Sequence, residues 1–223
     1  MEDAGRFKVK LIVPPGVDHY NPATYVHEIS LPYGIGVLAA SLRQRNCHVE
    51  LEDFRIRYNV FHESLPNILK QEFKTSAFGK RKNSRSLKKF GFIRSQEMDP
   101  DIIPFLYRML DFIGAEHYDL IGFSILSSVQ FDLTMMLCQR LKQQTDKKVV
   151  VGGPFINAYG KFFYPGIFNC VDYVITGDGA IPLQALIDHL RGKNNITQIP
   201  NLTYRKDEKV FSNPIEKYPL EDM

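Results

Sequence analysis

The chain has 223 residues, 44% of them hydrophobic and 24% charged, a length for one large domain or two small ones and a composition that excludes wholesale disorder. No apolar run approaches the roughly 20 residues needed to cross a bilayer, and the opening residues Met1–Arg6 match neither a secretory signal nor an Arg-rich transit peptide. Net charge is +3, but eight basic residues and no acid fall in Lys74–Arg94, leaving 20 basic against 25 acidic residues elsewhere, which argues against a general nucleic-acid binder.

Lys8–Val13 (KVKLIV) is a short β-branched run closed by Pro14-Pro15-Gly16, the pattern of a buried strand entering a loop. Gly34–Asn46 places Ile35, Leu38 and Leu42 on one helical face. Val49–Asp53 alternates apolar and acidic residues, which suits a strand near the sheet edge. Phe54–Ser95 is the least readable stretch; Leu65–Phe73 has helical character, and the basic insert at 74–94 lacks any clean period. Asp99–Gly114 recovers a strong helical stripe, with Asp99 or Asp101 as cap, Pro104 in the first turn and Gly114 at the end.

From Leu120 a rhythm repeats. Strands are expected at Leu120–Ile125, Lys148–Val151 and Asp172–Thr176. Helices are expected at Phe131–Gln144, around Ala158–Phe163 and at Ile181–Leu190. The aromatic group Tyr159, Phe162, Phe163, Tyr164 and Phe168 is expected in the core or, with less weight, facing a second domain. Alternating strands and helices imply an α/β fold: a flavodoxin-like (Rossmann-like) five-stranded parallel sheet with helices on both faces. Asn201–Tyr204 and Lys209–Phe211 read as a C-terminal β-hairpin, followed by an extended segment with Pro214 and Pro219. The expected organisation is an α/β domain at 1–198, carrying the insert 74–94, and a hairpin and linker at 199–223.

Ligands of open parallel sheets sit beyond the carboxyl ends of the strands. The loops there are Pro14-Pro15-Gly16, Ser124-Ile125-Leu126-Ser127-Ser128, Gly152-Gly153-Pro154 and Gly177-Asp178-Gly179. Such small residues leave a slot for a flat, nucleotide-like group. Gly34-Ile35-Gly36 lacks the third glycine and the strand context of a dinucleotide fingerprint, and no P-loop pattern occurs. Asp178 is expected either to face the ligand or, with more weight, to cap the following helix. The three cysteines, Cys47, Cys138 and Cys170, match no metal-pair spacing and are too few for a disulfide framework, so a reducing, cytoplasmic setting is expected.

The segments LPYGIGVLAASLRQRNCHVELED (Leu31–Asp53), YDLIGFSILSS (Tyr118–Ser128), KKVVVGGP (Lys147–Pro154), VDYVITGDGAIPLQALIDHL (Val171–Leu190) and IPNLTYRKDEKVFSNP (Ile199–Pro214) together resemble the N-terminal cobalamin-binding domain of cobalamin-dependent radical S-adenosylmethionine enzymes. The resemblance implies cobalamin as cofactor, its nucleotide tail between the third and fourth strands and the corrin over the strand ends. Carried over by position, Ser124, Leu126 and Ser128 would line the tail. Gly152 and Gly153 would admit it, Gly177 and Gly179 would lie near its far end, and Pro15 would lie near the corrin edge.

Asp18-His19-Tyr20 has the residues but not the spacing of the cobalt-ligating motif of corrinoid carriers. His19 and His27 are therefore expected to be solvated, and no metal ligand or catalytic residue is assigned. The cysteines cannot supply C-x-x-x-C-x-x-C, so a [4Fe–4S] cluster and S-adenosylmethionine would belong to the parent enzyme, a methyltransferase or related radical catalyst. The implied partner is a radical SAM domain in cis or trans; nucleic acid and membrane are not expected. The rival readings are a non-catalytic flavodoxin-like interaction module, or a degenerate relative that has lost its cofactor.

Overall fold

A computed structural model describes residues 5–14, 32–55 and 103–218. The helix expected at Leu65–Phe73, the basic insert and the Pro15–His27 loop residues lie outside them. Among the described residues, seven strands form one mixed sheet. They are β1 (Phe7–Val13), β2 (Cys47–Asp53), β3 (Leu120–Ser124), β4 (Lys148–Gly152), β5 (Tyr173–Ile175), β6 (Leu202–Lys206) and β7 (Lys209–Ser212). The order across the sheet is β2-β1-β3-β4-β5-β6-β7. The first five strands of that row are parallel, and their order, 2-1-3-4-5, is that of a flavodoxin-like sheet.

The expected five-stranded sheet with an appended hairpin is corrected here. β6 pairs antiparallel with β5, with Tyr173 opposite Tyr204 and Ile175 opposite Leu202, and β7 pairs with β6. The reason is burial: Leu202, Thr203 and Tyr204 are all inside, so this strand completes the core rather than leaving it. The turn is tighter than the pattern suggested. Asp207 and Glu208 both take positive φ, at 48° and 62°, which gives a two-residue connection whose twist matches the strands.

Helices cover both faces. α1 (Tyr33–Gln44) follows β1, α2 (Ile103–Ile113) precedes β3, and α3 (Ser128–Gln144), α4 (Pro154–Ile167) and α5 (Ala180–Leu190) follow β3, β4 and β5. Strand side chains alternate between two cores. Ile12, Ile121, Phe123, Val149, Val151 and Val174 pack against α2, α3 and α4. Val9, Leu11, Val13, Leu120, Val150 and Ile175 pack against α1 and α5. β2 lies at one edge, as its alternation implied.

Two further expectations are corrected. α4 is not a short helix near 158–163 but runs over fourteen residues from Pro154. Proline in the first turn costs a helix nothing there, since its missing N–H would be unpaired, so Pro154 starts the element it was expected to precede. Within α4, Tyr159 is 52% and Phe162 80% exposed. These two rings are not core; of the aromatic group, Phe168 is buried, and the side chains of Phe163 and Tyr164 lie outside the description. Gly114, at φ 56°, ends α2 in the left-handed conformation expected of it.

Candidate functional site

The carboxyl ends of β1, β3, β4 and β5 form one rim, at Val13, Ser124, Gly152 and Ile175. The helices following them start here, with Pro32, Ser127, Gly153 and Gly179 as cap residues. No cap side chain bonds the helix it precedes, and none of the four has an acid in its first turn. Each start therefore turns the positive end of its dipole toward the rim, with no acid in its own first turn. Asp178 is one residue too early to cap α5, which corrects the expectation that it would.

Amide side chains hold the rim loops together. Gln130, on the first turns of α3 and 3% exposed, accepts from the Leu126 N–H at 2.7 Å and donates to the Pro14 carbonyl at 2.7 Å. It ties the loop after β1 to the loop after β3. Asn157 of α4 accepts the Gly177 N–H at 2.8 Å. Asn201, buried and at φ 62°, accepts the Glu216 N–H and donates to the carbonyls of Glu216 and Asp178. Its own carbonyl takes the Thr176 N–H at 3.0 Å. Each of these polar atoms is paired where an unpaired one would be costly.

The residues selected from sequence are placed unevenly. Ser124 stands directly opposite Gly152 in the β3–β4 register. A Cβ on Gly152 would come 3.1 Å from the Ile175 carbonyl oxygen. Gly153 sits at φ 103°, and a Cβ there would lie 2.7 Å and 2.8 Å from the backbone O and N of Ile125. The third and fourth crossover loops touch at this point: Ile125 N–H donates to the Gly152 carbonyl at 2.8 Å, and Phe155 N–H to the Ile125 carbonyl at 3.1 Å. The close approach that demands glycine at 153 is thus made by the chain itself.

Leu126 projects at the rim, 39% exposed. Gly177, at φ 80°, lies beside the Asn201 amide. Gly179 instead faces α1, with Leu38 3.4 Å from a Cβ built on it. Ser128 opens α3, and its side chain, like all of Pro15, lies outside the description. Ser124, Leu126, Gly152, Gly153 and Gly177 therefore share one rim, while Gly179 belongs to the helix packing beside it.

Gln130, Asn157, Asn201 and Gly122 were not anticipated. A Cβ on Gly122, in mid-strand, would meet Leu11 Cδ2 at 2.8 Å. The available signal was an uncharged amide near the start of a helix, as at Gln130 in α3 and Asn157 in α4.

The thiols are not assembled for metal binding. Cys47 lies in the core beneath α1 and α5, and Cys138 and Cys170 lie in the opposite one. Burial raises all three thiols; Cys170 is pushed up to about 12, with Asp172 adding to the effect. They are inert apolar fillers.

Comparison with known proteins fits this geometry. Structures of the cobalamin-dependent S-adenosylmethionine radical enzyme OxsB with aqua-cobalamin bound match over 96% of this chain and 23% of theirs, at 15% identity and a TM-score of 0.57. The radical S-adenosylmethionine methyltransferase TsrM from Kitasatospora setae, with tryptophan substrate and a SAM analog bound, matches over 93% of this chain and 30% of its own, at 17% identity and a TM-score of 0.54. The chain thus spans about a quarter to a third of the length of these solved proteins, and identities this low speak to the fold. No curated protein sequence matches. The B12 binding domain model matches residues 70–187, over half of the chain, from before α2 into α5 and across the rim loops after β3, β4 and β5: the chain belongs to the B12 binding domain family.

Proposed function

We propose that the domain binds cobalamin across the rim where β1, β3, β4 and β5 end. The observation that carries this is the pairing of Ser124 with Gly152, flanked by helix starts with no side-chain cap bond and no acid in the first turn. A corrinoid carries amides, a phosphate and a broad apolar ring. The helix dipole ends suit the phosphate and amide oxygens. The Ser124 hydroxyl supplies a small hydrogen-bonding group, and exposed Leu126 supplies apolar contact. Gly153 leaves no room of its own, because Ile125 fills it.

Bound cobalamin would supply cobalt able to carry a methyl group or enter radical chemistry. The chain's own residues would bind and orient it. Gln130 fixes the spacing of the first and third loops, and Asn201 fixes the fifth against the segment reaching Tyr218. In this reading that segment is a linker, and a radical SAM domain in cis or trans contributes the [4Fe–4S] cluster and S-adenosylmethionine. A methyltransferase or related radical reaction is then the activity of the assembly. The Ile125–Gly153 contact favours a second reading, a family member whose rim has closed and holds no cofactor.

Incubation with hydroxocobalamin followed by desalting distinguishes the two. Retained corrin absorbance at about 350 nm is expected. Leu126→Asp should lose it while keeping its circular dichroism, because the side chain is exposed. A colourless wild-type chain would overturn the proposal and leave the second reading.

A further inference from the structure

The edge of the sheet opposite the rim carries a cavity of about 460 Å³, within the usual range for small-molecule sites. Its walls are the start of β4 (Lys148), residues 168–173 leading into β5, Lys142 and His189 near the ends of α3 and α5, Ile196, and Tyr204–Lys206 at the end of β6. β6 runs antiparallel to β5, so its last residues return to the edge where β5 begins, and Tyr204 lies beside Tyr173.

The charge of this cavity is one-sided. Among the described residues, Lys142, Lys148, Arg205 and Lys206 line it against a single carboxylate, Asp172. That carboxylate is already engaged by Lys142 at 3.1 Å, Lys148 at 3.4 Å and the Val149 N–H at 2.8 Å. Lys142 also donates to the Lys147 carbonyl at 3.0 Å. The C-terminal ends of α3 and α5 offset part of the positive field. Asp207 and Glu208, in the turn beyond Lys206, are exposed and do not line the cavity. Arg205 and Lys206 are exposed at its mouth. Phe168, Tyr173 and Tyr204, all buried, also line it.

A metal cation finds one carboxylate and four competing charges here, so the chemistry selects an anion. The aromatic lining is buried, out of reach of a folded partner's surface. We propose that this cavity is a second ligand site, independent of the corrinoid rim, for an aromatic phosphate monoester. Its phosphate would lie between Arg205, Lys206 and Lys148, Arg205 supplying the planar fork that suits phosphate oxygens, and its ring against the tyrosines.

Calorimetric titration of the full chain with adenosine monophosphate, adenosine and inorganic phosphate tests it. Saturable binding of the monophosphate is expected, tighter than of either fragment. The double variant Arg205→Ala/Lys206→Ala should weaken it at least about tenfold, the scale of a lost charge-assisted contact, with circular dichroism and corrin retention unchanged. Absence of saturable monophosphate binding, equal affinity in the double variant, or equal affinity for inorganic phosphate would each overturn the assignment.

Discussion

Gln130 shows how one buried amide governs the rim. Its two ends join the Pro14 carbonyl to the Leu126 N–H, and a side chain of equal size without polar atoms leaves both partners unpaired. Gln130→Leu is therefore expected to lower stability by about 1–3 kcal/mol in urea denaturation and to weaken corrin retention as well. Gly153 is the complementary case. Any Cβ there meets the Ile125 backbone at 2.7 Å while the residue is held at φ 103°. Gly153→Ala should cost more than about 1 kcal/mol through strain alone, read by the same denaturation. Its effect on cobalamin would then not separate binding from folding, whereas exposed Leu126 does.

Among the elements, the hairpin departs furthest from expectation. Its sequence is a clear pair of strands about a turn, and the pattern is satisfied equally by a free hairpin or by two further strands of the sheet. Burial decides for the sheet: Leu202 is fully buried opposite Ile175. Leu202→Ala is accordingly expected to destabilise the whole domain by about 2–5 kcal/mol, as a core truncation does. A hairpin standing outside the core would tolerate it almost without change. α4 teaches a related lesson. Its start at Pro154 depends on the left-handed Gly153, which turns the chain out of β4, and nothing in the periodicity of 158–163 reports that.

For the molecule as a whole, titration behaviour follows from where the thiols and phenols sit. Burial pushes Cys170 up to about 12, from an ordinary value of 9.0. Burial, with Asp172 nearby, pushes Tyr173 up to about 12 from 10.0. In the folded state both keep protons that the unfolded chain releases first. Their contribution to stability is complete below pH 9 and is lost as pH rises from about 9 to 12. Denaturation midpoints should fall over that window, and fall less in Cys170→Ala after allowance for its lower baseline. Midpoints that stay flat to pH 12 would show that these groups are not buried as described.

The alternation of strands and helices, and with it a parallel flavodoxin-like sheet, was legible because hydrophobic period and strand spacing are local properties of the chain, and the alternation within β2 marked it as an edge strand. So was the rim, since small residues fell at each strand end where a parallel sheet binds its ligands. Tertiary structure alone decided three things: that β6 and β7 extend the sheet, that Tyr159 and Phe162 face outward, and that Ile125 occupies the space beside Gly153. Each depends on contacts between residues distant in sequence. A glycine or an amide looks the same in a sequence whether its neighbour is a ligand, solvent or another loop of the same chain; only the folded packing says which.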